Sequence, residues 1–183
     1  MEISGGLKFL NRDEVFDKVG LKQGMKVACL GCGNLGHFII PAAQLVGKDG
    51  IAYAVDIQNS VLDSVQHLAT LQMLTNLQVV RANLEIVGST QIPADSLDVA
   101  FLINVLFQNK KHAEMIKEAS RLIKKGGKLI VIDWKKIGVP FGPSVEIRVD
   151  PENVIKYATD LNLKLLLQTE FGKYFWGLIF EKV

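Results

Sequence analysis

Cysteine is scarce in this 183-residue chain, which has only Cys29 and Cys32. They stand too close together to staple a fold, so a reducing, cytoplasmic setting is expected. An excess of one charge is also missing. Lys and Arg number 21, Asp and Glu 19, leaving a net +2. So small an excess neutralises no run of phosphates, and no nucleic-acid partner is expected. The pairs Lys110-Lys111, Lys124-Lys125 and Lys135-Lys136 read as solvated edges. Apolar runs are short, as Val99 to Ile103 illustrates. A spanning helix needs roughly 18 such residues, so no membrane span is expected. Met1 to Gly6 have neither the basic start nor the apolar run of a signal peptide. The sequence carries no internal repeat, low-complexity tract or linker. With 49% hydrophobic residues, residues 1–183 are expected to form one domain with a full core.

What is present is an alternation of apolar runs and amphipathic stretches. Strands are expected at Lys26 to Leu30, Ile51 to Val55, Leu77 to Val80, Leu97 to Ile103 and Lys128 to Ile132. Helices fall between them. Leu35 to Val46 stops at Gly47. Another opens at Asn59 and Ser60, where Ser60 and Asp63 have capping-box spacing. A third has Asn109 as its cap and Gly126-Gly127 as its stop, with Ala113, Ile116, Ala119 and Leu122 on one face. Asp150 and Pro151 open a helix to about Leu161. Leu163 to Thr169 and Tyr174 to Phe180 form a closing pair around Gly172. Strand–helix–strand repetition implies parallel strands, right-handed crossovers and helices on both faces. The last two strands are too close in sequence for a crossover and must be antiparallel.

Chemistry concentrates where the first strands end. Gly31-Cys32-Gly33-Asn34-Leu35-Gly36 fits G-x-G-x-x-G between strand and helix, a turn that lets a ligand approach main chain. Asp56 follows Gly36 by 20 residues, at the end of the next strand. That spacing suits a carboxylate gripping ribose hydroxyls. A nucleoside-containing ligand is implied, either a nicotinamide dinucleotide or S-adenosylmethionine. Cys29-x-x-Cys32 offers a rival redox or metal reading. It is disfavoured because Cys29 falls within a strand and no further metal ligand has matching spacing.

Further residues resolve the two cofactors. Gly24-Met25-Lys26-Val27, Leu30-Gly31-Cys32-Gly33, Tyr53-Ala54-Val55-Asp56 and Ser96-Leu97-Asp98-Val99 resemble the class I S-adenosylmethionine-dependent methyltransferases. The block Glu118 to Leu129 is similar to that family's E-x-x-R-x-L-K-P-G-G-x-L signature, with Lys125 in place of proline. The resemblance runs from about Lys8 to the C-terminus. Val131-Ile132-Asp133-Trp134 and Gly142-Pro143 resemble small bacterial methyltransferases related to the quinone-biosynthesis C-methyltransferases. The resemblance implies a three-layer Rossmann-like methyltransferase fold of the α/β class, with a mostly parallel seven-stranded sheet and an antiparallel C-terminal strand. It also implies S-adenosyl-L-methionine as cofactor and a small-molecule methyl acceptor. Gly31, Cys32 and Gly33 would pass the methionine part, Asp56 would take the ribose hydroxyls, and Ile57 would pack on adenine. Asn83 and Leu84 would bound the adenine edge, and Asn104 would lie under the sulfonium. Three positions depart from the family. Cys29 stands where an aspartate usually orders the loop, Asn83 where an aspartate often faces the adenine amino group, and Phe175 where close relatives often carry histidine.

Other residues have weaker claims. His37 falls in the first turn after the glycines, and His67 and His112 read as solvated helix residues. Asp133 and Trp134 could shape an acceptor pocket, and Arg148 could pair with an anionic acceptor. Phe9 and Phe141 are candidates to close over the site, and the Gly/Pro segment from Gly138 to Pro143 to act as a lid. Alignment of a nucleophile with a sulfonium methyl needs little covalent help, so no catalytic residue is named. The expected activity is methyl transfer to a small molecule. The alternatives are a non-catalytic cofactor-binding module of the same fold and an NAD-dependent reductase.

Overall fold

The computed structural model describes residues 9–183. The sequence reading of Met1 to Gly6 lies outside them. Helix α1 spans Arg12–Val19, ahead of the first expected strand. Its signals are local: Asn11 Oδ1 accepts the Asp13 and Glu14 amides at 3.1 and 3.4 Å, and Gly20 stops it at φ 69°. Then come β1 Lys26–Leu30, α2 Ile39–Val46, β2 Ile51–Asp56, α3 Asn59–Leu71, β3 Leu77–Arg81, β4 Leu97–Ile103 and α4 His112–Leu122. The chain closes with β5 Ile123–Trp134, α5 Pro151–Thr159, β6 Leu163–Phe171 and β7 Phe175–Lys182.

The strand order is β3-β2-β1-β4-β5-β7-β6. The first five strands are parallel, and β7 runs antiparallel to both β5 and β6. This is the expected Rossmann-like methyltransferase sheet. Alternate side chains of each central strand go to opposite apolar layers. Val27, Cys29, Phe101, Ile132 and Trp134 face α1, α2 and α3. Ala28, Leu30, Leu102, Val131 and Phe180 face α4 and α5. Burial on both faces is why these strands read as continuous apolar runs. Each buried Leu, Ile or Val contributes about 1.5–3 kcal/mol. Chain order reverses between β1 and β4, and a crevice opens at the carboxyl ends of strands at such a switch point.

Several boundaries differ from expectation. Helix α2 starts at Ile39, not Leu35. Pro41 lacks an N–H and its ring would clash four residues back, so it fits only the first turn. The residues before it form turns, with the Gly36 amide donating to Gly33 O at 3.0 Å. Ser60 does not cap α3; the cap position is Gln58, whose amide donates to Asp56 Oδ1 at 3.1 Å. Asn109 does not cap α4. Its Nδ2 donates to Val105 O at 2.8 Å, while the distant Glu85 accepts the Lys110 and Lys111 amides at 3.0 and 3.1 Å. Helix α4 ends at Leu122, ahead of the Gly126-Gly127 pair, because Ile123 already pairs with Leu97 in the sheet.

The Glu118 and Arg121 positions of the signature form a buried clamp. Glu118 is fully buried and accepts from Gly88 N at 2.7 Å, Thr90 N at 3.3 Å, Thr90 Oγ1, Arg121 Nε at 2.9 Å and Arg121 Nη2 at 2.8 Å. Burial pushes its carboxyl up, but hydrogen bonds from Arg121, Gly88 and Thr90 outweigh it and hold the pKa at about 2. The clamp ties the β3–β4 segment, which carries Asn83 and Leu84, to α4.

Candidate functional site

The glycine turn leaves β1 with Gly31 at φ 84° and Gly33 at φ 65°. The Gly31 and Cys32 amides donate to Val55 O at 2.8 and 3.0 Å, which folds the turn toward β2. A Cβ on Gly31 would lie 2.6 Å from Val105 Cγ2, whereas one on Gly33 would meet nothing within 4 Å. Gly31 is thus required by packing, and Gly33 leaves main chain open to a ligand. Asp56 Oδ2 accepts the Gly33 amide at 3.4 Å, so the carboxylate reaches the turn from the next strand.

Two lobes meet at Gly31, Gly33 and Gln108. The first, of about 320 Å³, is bounded by Asp56, Ile57, Asn83, Leu84 and Met115. Ile57 is half exposed there and offers an apolar face. Asn83 Oδ1 accepts the Glu85 amide at 3.0 Å, which uses one of its two lone pairs. The second lobe, of about 290 Å³, contains Cys32, His37, Phe38, Asn104, Phe107 and Trp134. No Asp, Glu, Lys or Arg lines it. Asn104 sits at φ 56°, its amide donating to Ile132 O at 2.8 Å and its carbonyl accepting Gln108 Nε2 at 2.8 Å. Asn104 Oδ1 and His37 Nε2 are buried and have no hydrogen-bond partner among the described residues. All eight expected cofactor-binding positions therefore face this two-lobed crevice.

The cysteines are free and buried. Burial, with the nearby Cys32 and Asp56, pushes the Cys29 thiol up, and burial and Asp56 push Cys32 up to about 12. Both are held as thiols, a poor state for redox or metal chemistry. Among the described residues no group of three or more His, Cys, Asp or Glu could hold a metal.

Four sequence expectations are corrected. Arg148 is buried and spent on main chain. Its guanidinium donates to Lys135 O at 2.7 Å, Ile137 O at 2.6 Å and Pro143 O at 2.7 Å, and stacks 5.3 Å from the Trp134 ring. It straps the Gly/Pro loop to the end of β5, so that loop is fastened and Arg148 is not free for an anionic acceptor. Gly142 rests on the Trp134 ring, where a Cβ would approach to 2.8 Å. Phe9 and Phe141 pack behind Trp134 with Tyr174, at ring distances of 5.0–5.3 Å, and line neither lobe. His112 is only partly exposed, and its Nε2 is shared between Leu106 O and Asn109 O at 3.0 and 2.8 Å, which both accept from it.

Asp133 is fully buried beneath the second lobe. Burial raises its pKa to about 7, against the Trp134, Phe107 and Leu106 amides that favour the carboxylate. Its oxygens accept Trp134 N at 2.8 Å and Phe107 N at 3.3 Å, holding the 3-10 turn Leu106–Gln108 against β5. Phe175 is core, 4.7 Å from the Trp134 ring. Sequence reasoning missed that His37 turns into the second lobe and that Gln108 bridges the two. For neither did the sequence carry a local signal, because both depend on where the turns after β1 and β4 meet.

Known proteins share this fold. The profile of a methyltransferase domain family matches residues 21–161. The ubiquinone/menaquinone biosynthesis C-methyltransferase of Laribacter hongkongensis is 30% identical over 79% of this chain and 57% of its own length. That of Marinomonas sp. is 29% identical over 73% and 52%. The chain spans about half the length of these curated relatives. A SAM dependent methyltransferase from Aquifex aeolicus superposes with a TM-score of 0.86 at 25% identity, covering 97% of this chain and 92% of that one. No helix among the described residues is long and apolar enough to cross a membrane. With a family match over most of its length and the matching sheet order, this chain belongs to the class I S-adenosylmethionine-dependent methyltransferases.

Proposed function

We propose that the chain, acting as one domain in the reducing cytoplasm, binds S-adenosylmethionine across the glycine turn and methylates a small, neutral, largely apolar molecule held in the second lobe. The observation that carries this reading is the pair of lobes that join at Gly31 and Gly33. When bound, the cofactor supplies an electrophilic methyl on a positively charged sulfur.

The residues fit that group. Asp56 accepts hydrogen bonds from the ribose hydroxyls, Ile57 and Leu84 flank the adenine, and the free lone pair of Asn83 Oδ1 accepts from its amino group. The open main chain at Gly31, Cys32 and Gly33 passes the methionine arm. Asn104 Oδ1, buried and unpartnered, accepts from the ammonium, a task the family gives in part to an aspartate where this chain has Cys29. Phe38, Phe107 and Trp134 exclude water and orient the nucleophile, an entropic contribution of several kcal/mol in such reactions. An uncharged lining gives neither a cationic nor an anionic acceptor a counter-charge, which favours a neutral one. A lobe of this size takes a small molecule, not a nucleic acid.

Calorimetric titration with S-adenosylhomocysteine tests this. Asp56→Ala is expected to weaken binding by roughly 10- to 100-fold, the loss of charge-assisted bonds to hydroxyls. Absence of binding to the unaltered protein, or equal affinity in the variant, refutes the proposal.

A further inference from the structure

The segment after β4 walls both lobes. Asn104 and Phe107 line the second, Val105 and Asn109 the first, and Gln108 lines both. Its middle, Leu106–Gln108, is a single 3-10 turn, too short to hold its own position. Side chains from two neighbouring elements fasten it. From α4, His112 Nε2 donates to Leu106 O and Asn109 O at 3.0 and 2.8 Å. From β5, Asp133 Oδ2 accepts the Phe107 amide at 3.3 Å while its Oδ1 accepts the Trp134 amide at 2.8 Å. Asp133 is fully buried, and it lines neither lobe itself.

We infer that Asp133 is a positioning residue for the cofactor: its carboxyl holds the Leu106–Gln108 turn against β5, and the ionised carboxyl, holding the turn more firmly than the neutral one, tightens the grip on an S-adenosyl compound where the lobes join. The inference rests on the proposed function of the same site and adds to it a residue that acts through main chain. A carboxylate accepts from amides roughly twice as strongly as a neutral acceptor. A protonated carboxyl has one oxygen occupied by a hydrogen that must find an acceptor of its own. Burial favours the neutral form. The amides of Trp134, Phe107 and Leu106, and then the charge of Arg148, favour the ionised one, and the carboxyl titrates at about 7. The other neighbours bring it no free charge. Trp176 lies opposite on β7, and Lys135, just beyond β5, is paired with Glu170 at 2.7 Å. The titratable His112 meets the same turn from its carbonyl side.

The test is calorimetric titration of the full chain with S-adenosylhomocysteine at pH 6, 7 and 8, on the unaltered protein and on Asp133→Asn. Asparagine keeps the outline of the neutral carboxyl and does not titrate. The unaltered protein is expected to bind roughly three- to tenfold more tightly at pH 8 than at pH 6, the difference between neutral and charge-assisted bonds. Asp133→Asn is expected to keep the weaker affinity throughout. Histidines common to both proteins cancel in the comparison. A merely structural role would weaken binding equally at every pH. Linkage gives a second measurement on the unaltered protein, which decides the matter if the variant does not fold. Saturating S-adenosylhomocysteine should lower the 13C titration midpoint of the Asp133 carboxyl by about half to one pH unit, the same coupling seen from the other side. A flat or reversed pH profile in the unaltered protein, the same profile in Asp133→Asn, or an unmoved midpoint overturns the inference and leaves the cofactor reading standing. If the unaltered protein binds no S-adenosylhomocysteine at any pH, both fall.

Discussion

Replacing Glu118 by glutamine probes the clamp behind the first lobe. The carboxylate accepts five hydrogen bonds in a fully buried position. Glutamine keeps the shape but presents an amide N–H₂ to donors on Gly88, Thr90 or Arg121. Holding this carboxyl at about 2, against an ordinary value of 4.5, corresponds to about 3 kcal/mol of stability at neutral pH. Because the folded-state value is the lower one, the contribution is present above about 4.5 and is lost as pH falls toward 2. Glu118→Gln should therefore unfold with about 3 kcal/mol less stability in urea at pH 7. Its melting temperature should fall by roughly 6–12 °C, at the 2–4 °C per kcal/mol of a domain this size. The two proteins should converge in stability as pH drops through that window. The loosened β3–β4 segment should also weaken S-adenosylhomocysteine binding through Asn83 and Leu84. A variant within about 0.5 kcal/mol of the unaltered protein, the range of ordinary surface changes, would refute the clamp. So would a difference that persists unchanged to pH 2.

Two further outcomes follow from the crevice. The Asp133 carboxyl should titrate near 7 in a 13C NMR experiment, because its burial raises it. Its ionisation costs stability, so that contribution is present at low pH and lost as pH rises through about 7; a midpoint near 4 contradicts its burial. Gly31→Ala and Gly33→Ala should separate stability from binding. The first puts a Cβ 2.6 Å from Val105 and should lose roughly 2–4 kcal/mol in thermal melts, from backbone strain plus overpacking. The second meets open space and should lose about 1 kcal/mol while weakening S-adenosylhomocysteine binding. Equal stability losses in the two would show that the turn is not packed against Val105.

Periodicity alone placed seven strands, the four helices after the first strand and the antiparallel close. These are local properties: apolar faces repeat at 2 or 3.6 residues, and glycine and proline punctuate them. The glycine turn and Asp56 were legible too, since a tight turn and a strand-end carboxylate constrain residue type at fixed spacing. The start of α2 was also written in the chain, at Pro41, and so was α1, in Asn11 and Gly20. Other features depend on residues far apart in sequence. Glu85 serves the entry to α4 from 25 residues away, and Arg148 reaches back to Lys135. Whether an arginine meets a ligand or three carbonyls depends on packing that no spacing encodes. The same holds for His37: the sequence put it in the first turn after the glycines, and only the meeting of the β1 and β4 turns set it in the wall of a lobe.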